Sequence, residues 1–155
     1  MNNFNNLSWN KSRAEQEKTM EFLIANDNWD IQHCIQNASK DIWENLVYVL
    51  SKKKNMIKEQ ALQGLLFLFK DLSWPGASMA FDIIKQIPKD KVLIDLEIAL
   101  SDAFEENDGI WVANLKQVIS YFRFTKKDFK KLIYRKFYKY PSGNIVLLTA
   151  KHDTV

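Results

Sequence analysis

The sequence predicts an all-α protein of about eight helices, arranged as a short right-handed stack of antiparallel hairpins. Three observations carry this. Apolar residues recur at intervals of three and four nearly throughout, the spacing of one helix face. Only four glycines and three prolines interrupt 155 residues. Capping residues or proline corners precede most of the successive apolar stripes.

The first helix is expected from Ser12, because Ser12-Arg-Ala-Glu15 reads as a capping box, and it runs to about Asn26. Asp27 to Asp30 is a second start signal, followed by the stripe Ile31, Cys34, Ile35 and Ala38. A third helix, about 40–52, follows Ser39. The fourth, about 56–72, carries Ile57, Ala61, Leu65, Leu68, Phe69 and Leu72 on one face. The corner Asp71-Leu-Ser-Trp-Pro-Gly-Ala77 stops it. Pro75 is then expected in the first turn of a fifth helix, about 75–87, with Ser73 or Trp74 capping.

Pro88 restarts the chain in a sixth helix, about 89–106, whose inward residues are Val92, Leu96, Ala99, Leu100, Ala103 and Phe104. Asn107-Asp108-Gly109 is a turn. The seventh helix, about 109–122, buries Trp111, Leu115, Val118, Ile119 and Phe122. An eighth, opened by Thr125-Lys-Lys-Asp128, carries Phe129, Leu132, Ile133 and Phe137. The run Asn144 to Ala150 is expected to be extended. The whole chain, 1–155, fits one domain, with residues 1–10 frayed and 141–155 a tail.

A shift of 35 residues pairs Leu65 with Leu100, Phe69 with Phe104, Ala80 with Leu115, Ile83 with Val118 and Ile84 with Ile119. Two helix–turn–helix units thus share a register, as in helical-hairpin repeats whose units stack to bury their faces.

The segment Leu65 to Trp111, with its LLFLFKDLSWPGASMAFDIIKQI run, resembles the core of a family of small bacterial HEAT-like proteins, which carry a similar Asp-Leu-Asn-Trp-Pro corner. Ser73 stands where the family has Asn, and Gly76 where an aliphatic residue is common. The match covers about a third of the chain. It implies a HEAT-like helical stack without established chemistry of its own. Some small HEAT-like proteins are immunity proteins, which neutralise a toxin in the cell that makes it.

Candidate reacting groups are few. His33 and Cys34 are adjacent, so on a helix they point about 100° apart, and the other histidine, His152, lies near the end of the chain. One cysteine and two histidines fall short of the four ligands of a structural zinc site, so no metal and no cofactor is expected. Cys34 reads as core and His33 as surface. No Gly-rich phosphate loop, nucleophile elbow or His-Glu-x-x-His is present. No catalytic residue is assigned. An enzyme with an isolated carboxylate in a helical cleft, as in HEAT-like DNA glycosylases, would escape this search. Trp74 and Trp111 read as rings filling space between hairpins, with Pro75 as a corner residue.

Charge is more informative. The net charge is +3, yet residues 126–139 hold seven basic residues and one acid, a local +6, leaving 3 − 6 = −3 elsewhere. From Val92 to Leu115 there is no Lys or Arg but six acids. Asp95, Asp102 and Glu106, seven and four residues apart, fall in one helical stripe with no basic neighbour in sequence. With Glu105 and Asp108 they read as a docking surface for a basic protein. The expected partner is a cognate toxin, a nuclease being one basic class, and the expected function is its inhibition by occlusion. The alternative is nucleic-acid binding through Lys126, Lys127, Lys130, Lys131 and Arg135. No small-molecule substrate is expected. The absence of a secretion-type start or an apolar run long enough to span a bilayer predicts a cytoplasmic protein without membrane contact.

Overall fold

A computed structural model describes residues 4–28 and 30–129. Over these the chain forms eight α-helices: α1 (Arg13–Ala25), α2 (Cys34–Asn37), α3 (Lys40–Ser51), α4 (Asn55–Gln60), α5 (Leu62–Phe67), α6 (Ala77–Ile84), α7 (Lys89–Glu105) and α8 (Gly109–Phe122), with 3-10 turns at Phe4–Leu7 and Leu68–Lys70. No strand occurs among the described residues, and no helix there is long and apolar enough to cross a membrane. The described residues are all-α, as their periodicity predicts.

The capping box at Ser12 forms in full. Ser12 Oγ accepts from the Glu15 N–H, and the Glu15 carboxylate accepts from the Ser12 N–H at 3.0 Å. The Asn-rich start differs from the fraying expected of it. Leu7 is fully buried and its carbonyl accepts from Asn45 Nδ2 at 2.8 Å, which fastens the Phe4–Leu7 turn to α3.

The second helix is shorter and later than Asp27–Asp30 suggests. It spans four residues from Cys34, and His33 at its start makes no side-chain cap. Asp27 is committed elsewhere. Lys53 Nζ donates to its carboxylate at 2.6 Å and to the carbonyls of Ile24 and Asn26 at 2.9 Å, closing the C-terminal end of α1.

The expected fourth helix is divided. At Ala61 (φ −89°, ψ 0°) the N–H bonds to Lys58, three residues back, where α4 gives way to α5, and the chain tightens to a 3-10 turn over Leu68–Lys70. α5 is buried nearly all round, contacting α2, α4, α6 and α7, so its sequence lacks a polar stripe by which its ends could be read. Gly64 makes this possible: a Cβ there would lie 2.9 Å from Ile35 Cβ. Leu72, expected inward, is exposed, because the chain has already turned out of the helix at Asp71.

At the corner, helix α6 starts at Ala77 and not at Pro75, and neither Ser73 nor Trp74 caps it. Ser73 N–H and Oγ instead donate to Asp71 Oδ1 at 2.9 and 2.6 Å, a local Asx turn. Gly76 holds the capping position at φ +83°, in the left-handed region, where a Cβ would also lie 3.0 Å from Val47 Cγ2. An aliphatic residue would be strained there. Glycine is therefore what this corner requires.

Beyond the corner, α3 packs on α6, α6 on α5, α5 on α7 and α7 on α8, while α8 returns to the Leu68–Lys70 turn. All ten residues paired by the 35-residue shift are buried in one continuous core. The two units differ in length, however, since α6 has 8 residues and α8 has 14. At Thr125 the expected box begins: Thr125 N–H and Oγ1 donate to Asp128 Oδ2 at 2.6 and 2.8 Å, and Phe129 is buried. The remainder of the expected eighth helix and the extended run at 144–150 lie outside the described residues.

Candidate functional site

The acidic stripe belongs to α7, which begins directly after Pro88 and buries Val92, Leu96, Ala99, Leu100, Ala103 and Phe104 as its spacing predicts. That packing turns the opposite face outward. On it Ile94 and Ile98, one turn apart, are 58% and 46% exposed. Glu97 is buried and so withdrawn from the face.

Three carboxylates gather at one end. Asp102, Glu105 and Glu106 occupy the last turn of α7, where no basic residue of the helix accompanies them. The unpaired carbonyls at a helix C-terminus already carry partial negative charge, so acids there are unfavourable. Burial pushes the Asp102 carboxyl up, Glu105 and Glu106 push it further, and Lys70 opposes them.

Relief comes from a residue the sequence analysis passed over. Lys70 reaches from the Leu68–Lys70 turn to pair with Glu106. Its ammonium also lies 4.5 Å from the ring centre of Trp111 and 5.1 Å from that of Phe67. The stripe has no basic neighbour in sequence but has one in space. Lys70 pairs with Glu106, and Asp102 beside it is held up by burial and by its acidic neighbours.

The remaining two acids of the set are placed differently. Asp95 lies two turns, about 10 Å, back along α7 and accepts from Gln63 Nε2 at 2.5 Å. Asp108 caps α8, its carboxylate accepting from the Trp111 N–H at 2.9 Å. It positions Trp111 more than it charges the face. Asp102, Glu105 and Glu106 therefore form the group, with Asp95 as an outlier toward α5.

Trp111 is buried and its Nε1 donates to the Leu66 carbonyl at 3.0 Å, tying α8 to α5. Trp74 is half-buried against Trp43 at 4.9 Å and Phe67 at 5.8 Å between ring centres. Trp111 meets the same Phe67 edge-on at 6.3 Å. Both rings fill space between elements, and Pro75 beside them is half-buried in the corner. Lys40 stands 4.3 Å over Trp74, as Lys70 does over Trp111, so each end of the aromatic row is covered by an ammonium. Trp43 and Phe67, which link the row, carry no sequence motif; their inward helical register was the available signal.

Cys34 is buried, and burial pushes its thiol up to about 12, so it is a thiol and not a thiolate at neutral pH. His33 is exposed. Among the described residues no group of three or more His, Cys, Asp or Glu is placed to hold a metal. Lys126 and Lys127 are exposed in the turn after α8; Lys130, Lys131 and Arg135 lie outside the described residues. No family model matches the chain, and no curated protein or solved structure matches it either.

Proposed function

We propose that the protein is an immunity-type inhibitor of HEAT-like architecture, acting in the cytoplasm of a bacterium that makes a basic toxin, with a nuclease as the favoured class. One observation carries the reading: the carboxylates of Asp102, Glu105 and Glu106 crowd the negative end of α7, where Lys70 pairs with Glu106. Such crowding costs free energy in the isolated protein. A partner's Lys or Arg set against Asp102 would recover it, giving affinity at that point and long-range steering toward a basic surface. The HEAT-like resemblance of the Asp71–Trp74 corner supports the same class.

Nuclease toxins are basic because they bind phosphate backbones. A protein that presents carboxylates on a rigid helix end occludes such a site by competing for its cations, without any covalent step. Trp111 serves by tying α8 to α5, and Trp74 by packing on Trp43 and Phe67.

The test is charge reversal. The product of a toxin-bearing reading frame adjacent to the gene is co-expressed with the wild-type chain and with the Asp102→Lys/Glu105→Lys variant. Wild type is expected to co-purify and protect, and the variant to lose both. Full protection by a folded variant would refute the acidic-face reading. Binding of the wild type to RNA or DNA at micromolar concentration with a steep salt dependence would favour the alternative partner, nucleic acid.

A further inference from the structure

The outward face of α7 carries an order of charge that its acidic end alone does not show. Lys91, Ile94, Ile98, Ser101 and Glu105 follow one another at alternating spacings of three and four residues, which sets them on one stripe of the helix with Asp102 beside it. None of them is buried. The stripe runs from a cation, through two exposed isoleucines, to carboxylates.

Helix α7 packs on α5 and α8 through its buried side, and Ile94 and Ile98 keep the exposures given above. Met56 of α4, 66% exposed, lines one hollow of about 290 Å³ with Ile94 and Lys91 and widens the apolar middle. Lys91 enters no ion pair among the described residues. Asp95, one turn further along, is held on the α5 side of the stripe by Gln63 at 2.5 Å. At the far end Glu106 is taken by Lys70.

We propose that α7 pairs antiparallel with α7 of a second copy of this chain across a twofold axis, Ile94 of each copy lying on Ile98 of the other. The charge order selects this occupant. Turning the stripe against itself brings each apolar middle onto the other, and sets each Lys91 opposite residue 101 of the second copy, within a turn of that copy's Asp102. A parallel pairing would instead set Lys91 on Lys91 and acid on acid. A contact between identical faces needs a surface complementary to itself under a twofold rotation, and an apolar strip with opposite charges at its two ends is one. The antiparallel arrangement also lays the negative end of each helix beside the positive end of the other, which relieves the acids crowded there. Two isoleucines and one methionine from each copy make a small core, so the dimer is weak, with a dissociation constant on the order of tens of micromolar. A second copy and a basic partner would exclude one another at Asp102, and the pairing itself requires no toxin.

Sedimentation velocity of the full chain alone tests this, over roughly 5 to 500 μM. Wild type is expected to pass from monomer to dimer across that range, and to associate several-fold more weakly at about 0.5 M than at about 0.05 M salt, because the end charges are exposed and screened. Ile98→Asp and Lys91→Glu, both at exposed positions, should each weaken the dimer at least tenfold with the helical circular dichroism unchanged. Asp102→Lys/Glu105→Lys, which reverses the acidic end, should do the same. The triple exchange Lys91→Glu/Asp102→Lys/Glu105→Lys reverses both ends together and should bring association back to near wild-type strength, as only the antiparallel pairing allows. A wild type that stays monomeric at the highest concentration, a dimer that Ile98→Asp leaves intact, or a triple exchange no stronger than Lys91→Glu alone would each overturn the pairing. None of these results touches the toxin reading, which the co-expression of the Asp102→Lys/Glu105→Lys variant tests separately.

Discussion

Lys70 and Glu106, thirty-six positions apart in the chain, are joined as an ion pair, and the ammonium of Lys70 stands 4.5 Å from the centre of the Trp111 ring. The pair sits at the junction of the core and the acidic face, so its removal acts on both in opposite senses. Lys70→Gln is expected to lower stability by about 1 kcal/mol, from a partly exposed ion pair and a cation–π contact. The same change strips the acidic end of its cation. Association with a basic partner should therefore become faster and more salt-sensitive, measured by stopped-flow at two ionic strengths. A variant that is less stable and also slower to associate would contradict the electrostatic account.

Asp102 offers a pH test. Its folded-state carboxyl is raised, first by burial and then by Glu105 and Glu106. A raised carboxyl means that the folded chain holds this proton more tightly than the unfolded one, so the group weakens the fold once it ionises. Asp102→Asn should thus stabilise the free protein by about 0.5 kcal/mol at neutral pH, the scale of like-charge helical pairs. The gain should shrink as pH falls through the carboxylate range and vanish below the ordinary Asp value of 3.8. Denaturant midpoints at pH 7 and pH 3 measure this.

Gly76→Ala places a Cβ on a residue at φ +83° and brings it to 3.0 Å from Val47 Cγ2. A loss of about 1–3 kcal/mol is expected, visible as a lower midpoint of chemical unfolding. Were alanine tolerated without cost, glycine would not be what fixes this corner.

The side chain of Lys53 is 3% exposed and carries three acceptors: the Ile24 and Asn26 carbonyls and the Asp27 carboxylate. Lys53→Met keeps most of the stem and removes all three bonds. A cost of about 2–4 kcal/mol is expected, because the acceptors lose their donor together. Hydrogen exchange should localise the damage to the last turn of α1 and the residues after it, while α7 and α8 keep their protection at matched stability.

Cys34, buried with its thiol near 12, should resist thiol reagents at neutral pH in the native state and react at once in denaturant. Native labelling at the rate of a free thiol would show that α2 opens readily.

Much of this molecule is written in neighbouring residues. The 3.6-residue recurrence determined the all-α class and, along α7 and α8, nearly every buried position, because a helix face depends only on residues three and four apart. The Ser12–Glu15 box and the acidic stripe were legible for the same reason. Each is a relation inside one or two turns. What the tertiary structure alone decided are the long-range relations: Lys70 on Glu106, Lys53 drawing Asp27 away from a helix start, the division at Ala61 that leads into the largely buried α5, and the close approach of α3 that makes glycine necessary at position 76. Those depend on which elements meet. A helix pattern states which face turns inward but not what it will find there, and the charge left exposed on α7 became known only once the cation from another element was in place.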